Sequence, residues 1–159
     1  IEEAGVSGRV EIQMGTLGKA LGASGGFICG RRNLIDLLVN KARSLIFSTA
    51  FPAAVSAAAA EALAIVQSGA GEELVKRLRA NIQLLGRGVS PIIPVMLGDE
   101  RAALDLSSQL LAAGIFVPAI RYPTVPRNRA RLRISLSALH SAGETELLAR
   151  SLRSLGAAS

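Results

Sequence analysis

Lys19 stands alone among small residues in the run Met14-Gly-Thr-Leu-Gly-Lys-Ala-Leu-Gly-Ala-Ser-Gly-Gly26, between two apolar, strand-like stretches. Its amine is the strongest nucleophile of that segment. Gly15, Gly18, Gly22, Gly25 and Gly26 allow a backbone to approach a bound group closely, and Thr16 sets a hydroxyl three residues before the amine. Such a loop suits the anchoring of a phosphorylated cofactor. A nucleotide-phosphate loop fails on two counts. The pattern G-x-x-x-x-G-K needs a following Ser or Thr for magnesium, where Ala20 stands, and a glycine where Gln13 stands. Apolar surroundings favour the neutral, imine-forming state of an amine, and Leu17 and Leu21 flank this one. That is the chemistry of a pyridoxal phosphate lysine, while a glycine-rich turn carrying a solvated lysine also fits the composition.

Three further groups attract attention. Arg121 precedes the stiff turn Tyr-Pro-Thr-Val-Pro126, and a guanidinium fork suits a carboxylate; a surface ion pair is the other reading. Ser48 and Thr49 lie shortly before Pro52, where a helix opens, so they suit either an anion at a helix N-terminus or ordinary capping. With one histidine (His140) and one cysteine (Cys29), no metal site is expected. Cys29 reads as a core residue within an apolar strand, and His140 sits immediately before Ser141, where a capped helix opens.

The run Gln13–Phe27 resembles the cofactor-lysine segment of the α-oxoamine synthases, pyridoxal phosphate enzymes that join an amino acid to an acyl thioester. Phe47-Ser-Thr-Ala-Phe-Pro52 resembles that family's Y-S-T-x-x-P-P loop, with Ala53 in place of the second proline. Ala119-Ile-Arg-Tyr-Pro-Thr-Val-Pro126 and Arg131-Leu-Arg-Ile-Ser135 resemble its substrate-carboxylate loop and the following strand. The I-R-x-P-T-V-P form points more narrowly to the biotin-pathway member, which condenses L-alanine with a pimeloyl thioester (pimeloyl-CoA or pimeloyl-carrier protein) with decarboxylation. A glycine-using C-acetyltransferase of the same family, or a non-catalytic α/β piece, remains open.

The resemblance implies that Lys19 holds pyridoxal 5'-phosphate and then removes the α-proton, and that Thr16 binds the cofactor phosphate. By the same token Ser48 and Thr49 reach the phosphate in a neighbouring subunit of a homodimer, Arg121 binds the amino-acid carboxylate, and Thr124 contacts substrate. In relatives the aspartate on the cofactor ring nitrogen and the histidine stacked on the ring come from upstream sequence. Ile1–Gly5 looks like the middle of a family sequence. The chain is therefore read as the C-terminal part of a fold-type I transferase. Residues 1–70 would end the large cofactor domain and residues 71–159 form a small α/β domain.

Composition is compatible with these expectations. Half of the 159 residues are apolar, enough for a sizeable core. The most apolar stretch, Ala50–Ala60, contains Pro52 and is too short for a membrane span, so a buried helix is expected there. No secretion signal is recognisable at the start and the lone cysteine allows no intrachain disulfide, which makes a cytoplasmic location the expectation. The net charge of +6 gathers in Arg121, Arg127, Arg129, Arg131 and Arg133. Only 3% of residues are aromatic, and the arginines alternate with Leu132 and Ile134 as on a strand with one solvated face, so nucleic-acid binding is not expected.

The pattern along the chain alternates strands and helices, the mark of α/β layers. Strands are expected at Val10–Met14 and Gly26–Cys29, then a helix capped by Asn33 through about Ala42, and a second helix from Pro52 to about Gln67. A break at Gly69–Gly71 precedes an amphipathic helix over Glu72–Leu85, with Leu74, Leu78, Ile82 and Leu85 on one face. The link from Leu85 to Pro91 is short for this family. Strands at Pro91–Leu97, Ile115–Ile120 and Arg131–Ser137, a helix over Asp99–Ala113 stopped by Gly114, and a helix opened by the capping box Ser141/Glu144 complete the order.

Overall fold

The computed structural model describes Ile1 and residues 4–157; Glu2, Glu3, Ala158 and Ser159 lie outside the described residues, and with them part of Ile1–Gly5. Two compact units follow one another, Ile1–Ala70 and Gly71–Ser159.

The first unit opens with an antiparallel hairpin of β1 (Ile12–Thr16) and β2 (Gly26–Gly30). Ile12 pairs with Gly30 and Thr16 with Gly26, so the strand begins two residues later than Val10 and takes in Gly15 and Thr16. Gly15 is a strand residue for a steric reason. A Cβ there would lie 2.6 Å from the ring of its cross-strand partner Phe27. Both strands are largely exposed, and Cys29 with them, so the cysteine is not a core residue.

Three helices follow: α1 (Arg32–Lys41), α2 (Arg43–Ile46) and α3 (Ala53–Val66). The N-cap of α1 is Arg31, without a side-chain bond, rather than Asn33. Asn33 lies inside the first turn, where its Oδ1 accepts at 2.9 Å from the Leu34 N–H, which also donates to Arg31 O at 3.0 Å. Pro52 caps α3 with φ −56° and ψ 140°. Although α3 is apolar nearly all round, Ala59 is its only buried residue, and the buried helix expected over Ala50–Ala60 is not found. A hairpin and three helices leave too little surface to cover it within this unit. Phe47 and Met14 are 75% and 73% exposed.

α4 (Gly69–Leu85) lies almost wholly in the second unit. The expected break at Gly69–Gly71 falls instead at Gln67–Ser68, because Ser68 Oγ donates to the Ile65 carbonyl at 2.7 Å and both glycines are helical. Then come β3 (Ile92–Gly98), α5 (Glu100–Ala112), β4 (Ala119–Ile120), β5 (Ala130–Ser135) and α6 (Ala142–Ser154). The sheet is antiparallel in the order β3-β5-β4. β4 is shorter than the Ile115–Ile120 strand expected, since Pro118 has no N–H for the ladder and contributes only its carbonyl, to Arg133 N at 3.0 Å.

Period-two burial on β5 turns Leu132 and Ile134 inward and leaves Arg133 and Ser135 exposed. Ile93 and Val95 of β3 join them, covered by Ile82 and Leu85 of α4, Leu106 and Leu110 of α5, and Leu148 and Leu152 of α6. This is the hydrophobic core of the chain. Asp99 caps α5 by accepting from Ala102 N at 2.8 Å, and Gly114 follows the helix with φ +80°. Among the described residues no single helix is long and apolar enough to cross a membrane.

Candidate functional site

Lys19 lies at the tip of the loop joining β1 to β2. The loop is closed by its own backbone: Leu17 N–H donates to Gly25 O at 2.9 Å, Ala23 N–H to Leu17 O at 3.0 Å, and Gly22 N–H to Lys19 O at 3.0 Å. Gly25 has φ +104°, a conformation that L side chains rarely adopt. Thr16 ends β1, and its Oγ1 accepts from Lys19 Nζ at 2.9 Å. The strand end and the loop thus place an amine and a hydroxyl side by side.

Two features differ from the sequence expectation. Lys19 is exposed, so Leu17 and Leu21 do not enclose its amine within this chain. The side chains beside it belong to a loop too small to wrap them around it. The glycines also answer to the loop itself. A Cβ on Gly25 would meet the Phe51 ring at 3.2 Å, and one on Gly26 the Gly15 carbonyl at 3.1 Å.

That Phe51 contact has a positional consequence. Phe51 closes the segment carrying Ser48 and Thr49, and its ring lies over Gly25, so this segment reaches the lysine loop within one unit. Ser48 and Thr49 are exposed, and Ser48 Oγ donates to Thr49 O at 3.3 Å. Neither caps α3, whose N-cap is Pro52. An exposed primary amine hydrogen-bonded to a hydroxyl is a pair that fits a cofactor with an aldehyde and a phosphate. Lys19 and Thr16 would hold it directly.

Arg121 and Thr124 belong to the second unit. They start the loop between β4 and β5, where Thr124 N–H and Val125 N–H both donate to Arg121 O, at 3.0 and 3.3 Å. The Tyr122–Pro123 peptide is cis. Arg121 is exposed and its Nη1 donates to Tyr122 O at 3.3 Å. Among the described residues it forms no ion pair, so its guanidinium retains donors for an incoming anion.

Sequence reasoning missed one contact of this loop: the Arg127 guanidinium lies over the Tyr122 ring, 4.3 Å from its centroid. The signal was a Tyr and an Arg bracketing a proline-rich turn. His140 is structural, with Nδ1 accepting from Ser137 N at 3.1 Å. Ser141 and Glu144 form the expected capping box of α6, and the bonds from the Ser141 backbone and hydroxyl hold the Glu144 carboxyl below its usual range. No group of three metal-binding side chains occurs among the described residues.

The chain has recognisable relatives among known proteins. The family described as aminotransferase class I and II matches residues 2–152. The 8-amino-7-oxononanoate synthase of Pelobacter propionicus is 43% identical over 166 residues, covering 98% of this chain and 42% of the relative. That of Anaeromyxobacter dehalogenans is 46% identical over 154 residues, covering 91% and 39%. Among solved structures, Sphingomonas wittichii serine palmitoyltransferase superposes with a TM-score of 0.83 at 33% identity, over 98% of this chain and 42% of that one. The 8-amino-7-oxononanoate synthase of Francisella tularensis gives 0.74 at 26% identity, over 91% and 45%. The chain spans about two fifths of the length of the curated relatives it matches.

Proposed function

The chain belongs to the aminotransferase class I and II family, and on that premise we propose that it is the lysine-bearing and carboxylate-recognising part of a pyridoxal phosphate-dependent 8-amino-7-oxononanoate synthase. The reaction is condensation of L-alanine with a pimeloyl thioester, on coenzyme A or a carrier protein, with loss of carbon dioxide. The observation that carries the reading is the pairing of Lys19 Nζ with Thr16 Oγ1 at 2.9 Å on a loop closed by its own hydrogen bonds. Two relatives above 40% identity that bear this name support the choice of substrates.

When bound, pyridoxal phosphate supplies the electron sink for the carbon whose bonds change. Lys19 Nζ would hold it and, as a free amine, would serve as the base that takes the proton from Cα. Thr16 Oγ1 accepts from that amine and has its own proton to donate to a phosphate oxygen. The exposed Arg121 fork takes the amino-acid carboxylate in two parallel hydrogen bonds, and Thr124, two residues past the start of the turn, borders the same substrate. Ser48 and Thr49 serve the phosphate of a second subunit in a homodimer. The exposure of Phe47 and Phe51 beside them supports a contact surface there.

The test is expression of the longest reading frame that contains this chain, with assays of L-alanine, glycine and L-serine against pimeloyl and palmitoyl thioesters. Turnover preferring L-alanine and the pimeloyl thioester, with release of carbon dioxide, is expected. Preference for serine or glycine, or no turnover with any pair, overturns the reading.

A further inference from the structure

The geometry points to Tyr122 and Arg127 as a positioning pair that clips the loop between β4 and β5 shut and so presets the Arg121 guanidinium for a carboxylate; this rests on the reading of Arg121 given above. Tyr122 acts through both of its ends. Its carbonyl accepts from Arg121 Nη1 at 3.3 Å, while its ring carries the Arg127 guanidinium 4.3 Å from the centroid. Between these residues the chain turns through Pro123 and Pro126, and the far side is pinned by Arg129 N–H on Pro126 O (3.2 Å) and Arg131 Nε on Arg129 O (3.0 Å).

The stack therefore joins the outgoing and returning limbs of one loop at the residue that touches Arg121. Backbone bonds set the turn, and the Arg121 side chain rests on one backbone group, the Tyr122 carbonyl, whose residue the stack holds in place. Arg127 makes no ion pair among the described residues, so the ring is its principal contact. A long, flexible cation that is already held against a carbonyl loses less freedom when a carboxylate arrives. The pair belongs to ground-state recognition of the amino acid and not to the chemical step, since neither side chain is asked to move a proton. Its signature is a change in KM for the amino acid at constant kcat.

Two measurements test it. In the protein from the longest reading frame containing this chain, Tyr122→Leu and Arg127→Gln are each expected to raise KM for the amino acid about three- to fivefold, the worth of an exposed cation–ring contact, with kcat and KM for the acyl thioester unchanged. Tyr122→Phe, which keeps the ring, should restore the wild-type value. Arg121→Lys, measured alongside, separates the two readings. If it raises KM while Tyr122→Leu and Arg127→Gln do not, the positioning role alone is overturned; if it leaves KM unmoved, carboxylate binding by Arg121 fails and the positioning role fails with it. The second measurement needs no turnover. The near-ultraviolet circular dichroism of that same protein, taken as the difference from its Tyr122→Leu variant, isolates the contribution of this ring. Arg127→Gln should diminish that contribution; an unchanged band means the stack does not order the ring, and the inference is lost.

Discussion

Asn81 Nδ2 donates to the His140 carbonyl at 2.9 Å, joining α4 to the turn that precedes α6. The same amide donates to Ser137 O at 3.1 Å, and Asn81 is 6% exposed. One buried carboxamide thus satisfies two carbonyls of the turn after β5. Asn81→Ala should lower stability by about 1–3 kcal/mol, because those carbonyls lose their donor where water does not readily replace it. Urea denaturation followed by far-ultraviolet circular dichroism measures this. A loss below a few tenths of a kcal/mol would show that the turn does not depend on Asn81.

Gly15 and Phe27 face each other across the hairpin, and the place for a Cβ on Gly15 is taken by the Phe27 ring. Gly15→Ala should loosen the pairing of β1 with β2, and Phe27→Leu should relieve much of that effect. The expected coupling between the two substitutions is about 0.5–3 kcal/mol, as for side chains in direct contact. Hydrogen exchange at Leu17 N–H, bonded to Gly25 O across the loop, reports it. Additive effects would mean that the ring swings aside freely.

What was legible in the sequence was local. Ser141 and Glu144 announce a capping box at three-residue spacing, and the inward Leu132 and Ile134 alternate with outward Arg133 and Ser135, as a strand requires. The lysine loop was legible because its chemistry and its turn lie within one short segment. What escaped depends on distant neighbours. Cys29 and α3 look like core by composition, yet burial is decided by what packs on them, and the first unit buries only Ala59 among its described residues. Asn81 gave no signal because its partners lie 56 and 59 residues away. The exposure of Lys19 follows the same rule, since an apolar flank in sequence does not make an enclosure in space.

The carboxyl of Glu144 is held below the ordinary value of 4.5, first by the Ser141 N–H at 2.7 Å, then by the Ser141 hydroxyl, with the nearby His140 acting in the same direction. A folded-state value below the unfolded one means that the group stabilises the fold fully above the unfolded value, and that this contribution is lost as pH falls through the folded value. Thermal stability should therefore contain a component that declines below about pH 4.5. Glu144→Gln, which keeps an acceptor for the Ser141 N–H but cannot ionise, should remove that component and narrow its gap to wild type as the pH falls. A gap that stays constant from neutral pH to pH 3 or so would show that ionisation of Glu144 contributes nothing to the cap.

Lys19 and Thr16 make separable predictions because one would attach the cofactor and the other only hold it. Lys19→Ala in the protein from the longest reading frame containing this chain should abolish the cofactor attachment that borohydride makes permanent. An adduct trapped elsewhere in this segment would mean that Lys19 is not the attachment point. Thr16→Val keeps the shape of the side chain and removes its hydroxyl. If that hydroxyl serves the phosphate, cofactor Kd should rise about tenfold or more, as for a hydrogen bond to a charged group. Thr16→Ser should remain close to wild type. An unchanged Kd for Thr16→Val would mean that Thr16 only orients the amine it contacts at 2.9 Å, and that the phosphate is held by other donors.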